Sequence, residues 1–517
     1  MLIDLLIVFI YFAVIMTVAL RGRVGDDVTG EEYFLSKRNL KWYSVAISTI
    51  ATNVQGYQFL GMMGSAYLYG LAQGMFEINA MQGILMAAFI FVPLYLKDRV
   101  VTITQFIEKR LGRTVAVTYS AANIVLLSTV GLGAALFWGA YAAEIVFGDF
   151  FTFISESRFI RIAVMISALG VFSAIYTYFG GLGVVVRTDI VQFVVLTIGG
   201  VIVLSTAIYH LGGWQQLYIK TPELMHLHLP ANHEKLPWTA MFGLALLNIN
   251  YWCANQSVVQ RSLAARSLRD AQIGLMAGGV MKYFMAVLII VPGIALAGIL
   301  AENPLAEPDQ AYPHIVKTYL PAGVRGLILC ALFASLMSTV DSIFNSVATL
   351  FSIDIYKGFI NKNATDRETV TVGRKTIIVM LLTGVLVGCY MANEKIITQS
   401  EAFTHTLNEW RSFVNCGIVV VICAAAFLLR PNYKLTVFAF LFTVPLHFIF
   451  MKISPDMTYL VRAGWVISIA FLILTIPTLL RNGTRKVSEF FKSGGADLTK
   501  IAWGLLLSLI VLHVIFH

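Results

Sequence analysis

Between Ala331 and Tyr356 the chain reads ALFASLMSTVDSIFNSVATLFSIDIY, an apolar run in which Ser335, Ser338, Thr339, Ser342, Asn345, Ser346 and Thr349 recur at helical spacing. At about 100° per residue these positions share one stripe of roughly 120°, and Leu, Ile, Val and Phe fill most of the remainder. The pattern predicts an apolar helix with a polar seam. Runs of similar hydropathy recur from end to end. They predict about fourteen membrane spans, over 2–20, 43–70, 75–96, 116–147, 159–178, 185–209, 238–257, 271–301, 322–356, 373–393, 411–430, 434–451, 460–480 and 500–516.

Two further spans depart from a plain apolar pattern. ISTIATNVQGYQFLGMMG, from Ile47 to Gly64, places Thr52, Asn53, Gln55, Gly56, Gln58, Gly61 and Gly64 at the middle of the second span. Glycine weakens the helix and the polar side chains cannot face lipid, so an interruption is expected here. In the seventh span Asn248, Tyr251, Trp252 and Asn255 stand at i, i+3, i+4 and i+7, which puts them on one side of one helix. Lys282 lies near mid-membrane in GGVMKYFMAVLIIVPG. It needs a partner or an aqueous cavity there, and Glu77 in the FEINA segment can supply the counter-charge.

Composition narrows the class. Charged residues make up 13% of the 517 positions and hydrophobic ones 58%. A soluble protein carries about 25% charged residues, so the reading is an all-α polytopic membrane protein. The net charge of +9 does not point to nucleic acid. The basic residues sit in short loops beside the spans, and the loops after odd-numbered spans hold about 26 of the 37 Lys and Arg. By the positive-inside rule both termini face outward from the cell membrane. The arginines are read as lying at span ends or in loops. The five cysteines fall inside or at the edge of apolar runs, without metal-type or disulfide-type spacing.

A polar seam buried in a membrane must meet protein, water or an ion. Hydroxyl and carbonyl oxygens on such a face can replace the water shell of a small hard cation, which makes the seam a candidate Na⁺ wall. The amides, the carboxylate, the ammonium and the aromatic side chains of spans two, three, seven and eight suit a neutral, hydroxyl-rich ligand, whose every hydroxyl both donates and accepts. There is no nucleophile motif, and Gly180, Gly181 and Gly183 precede no Lys-Ser/Thr pair, so an enzyme is not expected.

ATNVQGYQFLG, GMFEINA, YTYFGGLGVVVRTDIVQ, NYWCANQSVVQR and LMSTVDSIFNSVATLFSIDIY together resemble the sodium/solute symporter family, and within it the sodium/glucose cotransporter branch. The resemblance implies a core of two inverted five-helix repeats, here 43–209 and 238–430. One extra helix, 2–20, precedes them, and C-terminal helices over 434–516 follow. It implies a Na⁺ site of carbonyls from Ala51 and Val54 with oxygens from Ser335, Ser338 and Thr339. It also implies a sugar site at Asn53, Gln58, Glu77, Asn248, Tyr251 and Lys282, with Trp252 alongside at a central gate. Asn408, in TLNEWRSFVNCGI, stands where that branch has a sugar-contacting glutamine, a departure that leaves the sugar unspecified. A second, inner cation site is expected from Asp189, Asp341 and Ser342, on the premise that two facing carboxylates need a cation or a shared proton between them.

The function implied is Na⁺-driven import of a sugar or related polyol by alternating access. Two alternatives stand beside it. One is a sodium symporter for an anionic substrate such as sialate or a short carboxylate, with Lys282 as counter-charge. The other is a non-transporting sensor on the same fold.

Overall fold

The computed structural model describes residues 2–22, 28–148, 150–398, 403–481, 483 and 495–517. Among them no strand forms, and the elements are helices from end to end. Those that carry the argument are α1 (Leu2–Arg21), α2 (Trp42–Asn53), α3 (58–69), α4 (75–97), α5 (Arg113–Phe147), α6 (Arg158–Leu211), α7 (Ala240–Ala254), α8 (Gln256–Leu263), α9 (Leu268–Ile299), α10 (Val324–Ile360), α11 (Asp366–Ile397), α12 (Phe403–Phe427), α13 (Tyr433–Ile453), α14 (Tyr459–Arg481) and α15 (Ala496–Ile515).

Eleven helices among the described residues are long and apolar enough to cross a membrane, so the chain is a multi-pass membrane protein. The count falls below the fourteen spans expected in three places. Residues 58–97 run as one helical stretch through a tight turn at Gly70–Gly74. Helix α7 is short because it breaks at Asn255. The 54 residues of α6 would reach about 81 Å if straight, against a hydrocarbon core of about 30 Å. A kink at Gly181 divides it instead. There φ is +57°, and a Cβ would lie 2.4 Å from the Tyr33 carbonyl oxygen, so only glycine fits the bend.

Helix α10 forms the centre. Of its most apolar window 94% is buried, against 11% for α15, which borders the assembly. Helices α1, α5, α6 and α11 pack around α10, while α2 lies between α6, α9 and α10. The polar seam predicted for α10 is therefore enclosed within the bundle: Ser335, Ser338, Thr339, Ser342, Asn345, Ser346 and Thr349 are all buried. Two helices of the bundle are interrupted inside it, α2/α3 around Val54 and α7/α8 at Asn255. The second interruption was not anticipated from the sequence.

Candidate functional site

Helix α2 ends where Val54 turns extended, at φ −76° and ψ 93°. In a continuous helix the Gln55 N–H would bond the Ala51 carbonyl. Here it donates to Gln58 Oε1 at 2.7 Å, which releases Ala51 from that bond. Other carbonyls of the break face hydroxyls of α10. Ser335 Oγ donates to the Val54 carbonyl at 2.6 Å. Thr339 Oγ1 donates to the Thr52 carbonyl at 3.3 Å and to the Ser335 carbonyl at 3.1 Å. Ser338 Oγ instead donates to Asp189 Oδ1 at 2.5 Å. Carbonyl and hydroxyl oxygens thus converge from two helices, a hard donor set suited to Na⁺.

Beside the break lies a cavity of about 140 Å³. Asn53, Gln58, Glu77, Asn248, Tyr251, Trp252, Lys282 and Asn408 all line it. Lys282 Nζ pairs with the Glu77 carboxylate and bonds Asn53 Oδ1. Gln58 Nε2 donates to Glu77 Oε1 at 2.7 Å. Gln58 therefore spans from the backbone of the break to the charged pair. Asn248 Nδ2 donates to the Asn79 carbonyl at 3.0 Å, fixing α7 against α4. The same two helices meet at Gly83, where a Cβ would lie 2.6 Å from Trp252 Cδ1. Trp252 is 1% exposed, and its indole N–H has no hydrogen-bond partner among the described residues.

The residues expected to form an inner cation site are arranged otherwise. Asp189, read from the sequence near the inner surface, is completely buried and ion-paired at 3.4 Å with Arg261, itself 0% exposed. Asp341 is bonded by the Tyr176 hydroxyl and, at 3.4 Å, by Thr177 Oγ1. Ser342 Oγ meets the Arg261 guanidinium and Thr52 Oγ1, the latter at 2.9 Å. Arg261 thus supplies positive charge to Asp189, a partner that the expectation of a cation or shared proton between the two carboxylates did not include. A second correction concerns the arginines as a class. Arg261 is central to this buried network, and Arg411, read as the end of a span, lies over two turns inside α12 and lines the cavity.

The cavity wall also includes Tyr57, Phe76, Asn250, Ser412, Asn415 and Tyr459, which the sequence reading did not name. For α12 a signal existed. Asn408, Arg411, Ser412 and Asn415 stand at i, i+3, i+4 and i+7, the spacing that had identified the polar face of α7. A second, adjoining cavity of about 80 Å³ shares Asn250, Tyr251, Arg411 and Asn415 with the first and reaches Thr52 and Thr339.

Comparison with known proteins adds a family frame. The model of the sodium:solute symporter family matches residues 33–429. The sodium/glucose cotransporter of Vibrio parahaemolyticus is 28% identical to this chain, over 99% of it and 98% of the relative. The sodium/glucose cotransporter 1 of Ovis aries is 30% identical over 83% of this chain and 68% of its own length. The sodium/myo-inositol cotransporter 2 of Rattus norvegicus is 29% identical, over 83% and 67%. A solved structure of a Na⁺-coupled sialic acid symporter, substrate-bound and outward-open, matches with a TM-score of 0.78 at 19% identity, covering 94% of this chain and 99% of that one. That likeness shows the fold.

Proposed function

Since the chain belongs to the sodium:solute symporter family, whose members couple transport to sodium, we propose that it imports a sugar or related polyol down a Na⁺ gradient by alternating access. The observation that carries this reading is the convergence of the eight named side chains on one cavity beside a broken helix whose carbonyls face hydroxyls. The names of the relatives, glucose and myo-inositol cotransporters, favour a sugar or polyol as the starting point.

In this reading Na⁺ binds the Ala51 and Val54 carbonyls with Ser335, Ser338 and Thr339, and the sugar binds Asn53, Gln58, Glu77, Asn248, Tyr251, Lys282 and Asn408 beneath Trp252. Gln58 couples the two sites. Its Oε1 holds the Gln55 N–H of the break and its Nε2 holds Glu77, so a cation that orders the break also orders the carboxylate–ammonium pair. A second cation, if carried, would bind at Asp189, Asp341 and Ser342, sharing Asp189 and Ser342 with the Arg261 guanidinium. The core repeats are 43–209 and 238–430, and both termini face outward from the cell membrane.

Uptake by the purified chain in proteoliposomes tests the reading, with hexoses, inositol and sugar acids supplied with and without an inward Na⁺ gradient. At least one should accumulate only with the gradient. Failure of every sugar and polyol to respond to Na⁺ would reject it.

A further inference from the structure

Around the cavity the charges pair off and leave one over. Glu77 is matched by Lys282, and Glu409 by Arg462. Arg411 also lines the cavity, yet no carboxylate among the described residues pairs with it and no hydrogen bond holds its guanidinium. Its cavity neighbours Tyr57, Tyr251 and Tyr459 carry no charge at neutral pH. A cation inside a membrane protein needs water or a negative group beside it, and a substrate that displaces the cavity water must supply that group.

Building on the sugar-symport reading, we propose that the substrate is a single-ring polyol bearing a carboxylate, of the hexuronate class, and that Arg411 receives that carboxylate. The guanidinium offers a planar pair of N–H donors that matches the two oxygens of a carboxylate, a geometry an ammonium cannot give. Lys282 is not free for the task, since Glu77 and Asn53 already hold its Nζ. The two ends of the cavity thus divide the ligand. Asn53, Gln58, Glu77 and Lys282 offer neutral and balanced partners for hydroxyls, while the stripe Asn408, Arg411, Ser412 and Asn415 offers a net positive one.

Size narrows the class further. At about 140 Å³ the cavity is less than half the lower end of the range for drug-sized ligands, about 300 Å³. One six-carbon ring is better accommodated than a nine-carbon acid sugar or a disaccharide. Arg411 also borders the adjoining cavity, together with Asn415 and Tyr251. The same guanidinium therefore borders both chambers and can stay with the anion as it passes between them.

The test is Na⁺-driven uptake by the full chain in proteoliposomes, comparing glucuronate and galacturonate with glucose and galactose, and adding sialate and glucose 6-phosphate. Wild type should take up a hexuronate about 10-fold or more faster than its neutral counterpart. Arg411→Gln should remove about 10- to 100-fold of the hexuronate uptake, the scale of one charge-assisted contact, with hexose uptake little changed. Arg411→Lys should fall between. Competition by glucuronate against labelled hexose in wild-type vesicles gives the same ranking if the variants do not fold. Hexose uptake equal to or above hexuronate uptake would overturn the proposal and leave the sugar reading standing. So would a preference for sialate or the phosphate ester, or an equal loss of both substrates in Arg411→Gln. Na⁺-independence of every sugar and acid would overturn both readings.

Discussion

At Val54 the helix from Trp42 stops with φ −76° and ψ 93°, and at Asn255 the helix from Ala240 stops with φ −82° and ψ 114°. The backbone solves the same problem twice, but the released groups are treated differently. At the second break the Cys253 carbonyl accepts the Tyr95 hydroxyl at 2.6 Å, and the Ala254 carbonyl accepts the Tyr119 hydroxyl at 2.7 Å. Asn255 then caps the restarted helix by accepting the Ser257 N–H at 3.0 Å. At the first break the partners are the small hydroxyls of Ser335 and Thr339, which can rotate their protons away and present lone pairs. A buried tyrosine has its oxygen fixed by the packing of its ring. A broken helix whose carbonyls are filled by rigid donors is a joint, whereas one shared by small hydroxyls on the facing helix keeps oxygens that can turn toward a cation.

Arg261 connects the two breaks, and removing it should have the largest effect. It sits on α8 just past the second break, donates to Ser48 Oγ of α2 at 3.1 Å and pairs with Asp189. Arg261→Leu leaves Asp189 buried without a counter-charge and should lower stability by about 3–5 kcal/mol, read as a fall in the thermal midpoint of the detergent-purified protein. Adding Asp189→Asn should recover part of that loss. If the single variant unfolds like wild type, the two breaks are not tied through this pair.

A smaller effect is expected from the rigid donors themselves. Tyr95→Phe and Tyr119→Phe each strip a hydroxyl from a buried carbonyl and should cost about 1–3 kcal/mol of stability. Both should leave the Na⁺ dependence of uptake unchanged. A shift in that dependence would place the second break inside a cation site and end the distinction drawn here.

How much of this the sequence disclosed varies with the range of the interaction. The seam on α10 is a local pattern, and its seven small polar residues are buried where helical spacing places them. The first break was legible because glycine and amides crowd Ile47 to Gly64. The second was not, since NYWCANQS holds neither glycine nor proline, and its bend is sustained by Tyr95 and Tyr119, well over a hundred residues away in sequence. Arg261 and Arg411 were misread for a related reason. Hydropathy assigns a charged residue to the edge of a span, and only the packing of distant helices shows that Asp189 receives one and a cavity the other. Asp341 likewise found its partner in Tyr176, on a helix whose register against α10 no local pattern gives.

Na⁺-induced thermal stabilisation of the purified chain tests whether the first break is the Na⁺ site, without knowledge of the substrate. Wild type should be stabilised by NaCl and not by KCl at equal ionic strength. Thr339→Ala should need about 10-fold more Na⁺ for half the effect, the cost of about 1.4 kcal/mol for one missing oxygen, and Thr339→Ser should lie close to wild type. A Thr339→Ala titration that overlays that of wild type would contradict the assignment.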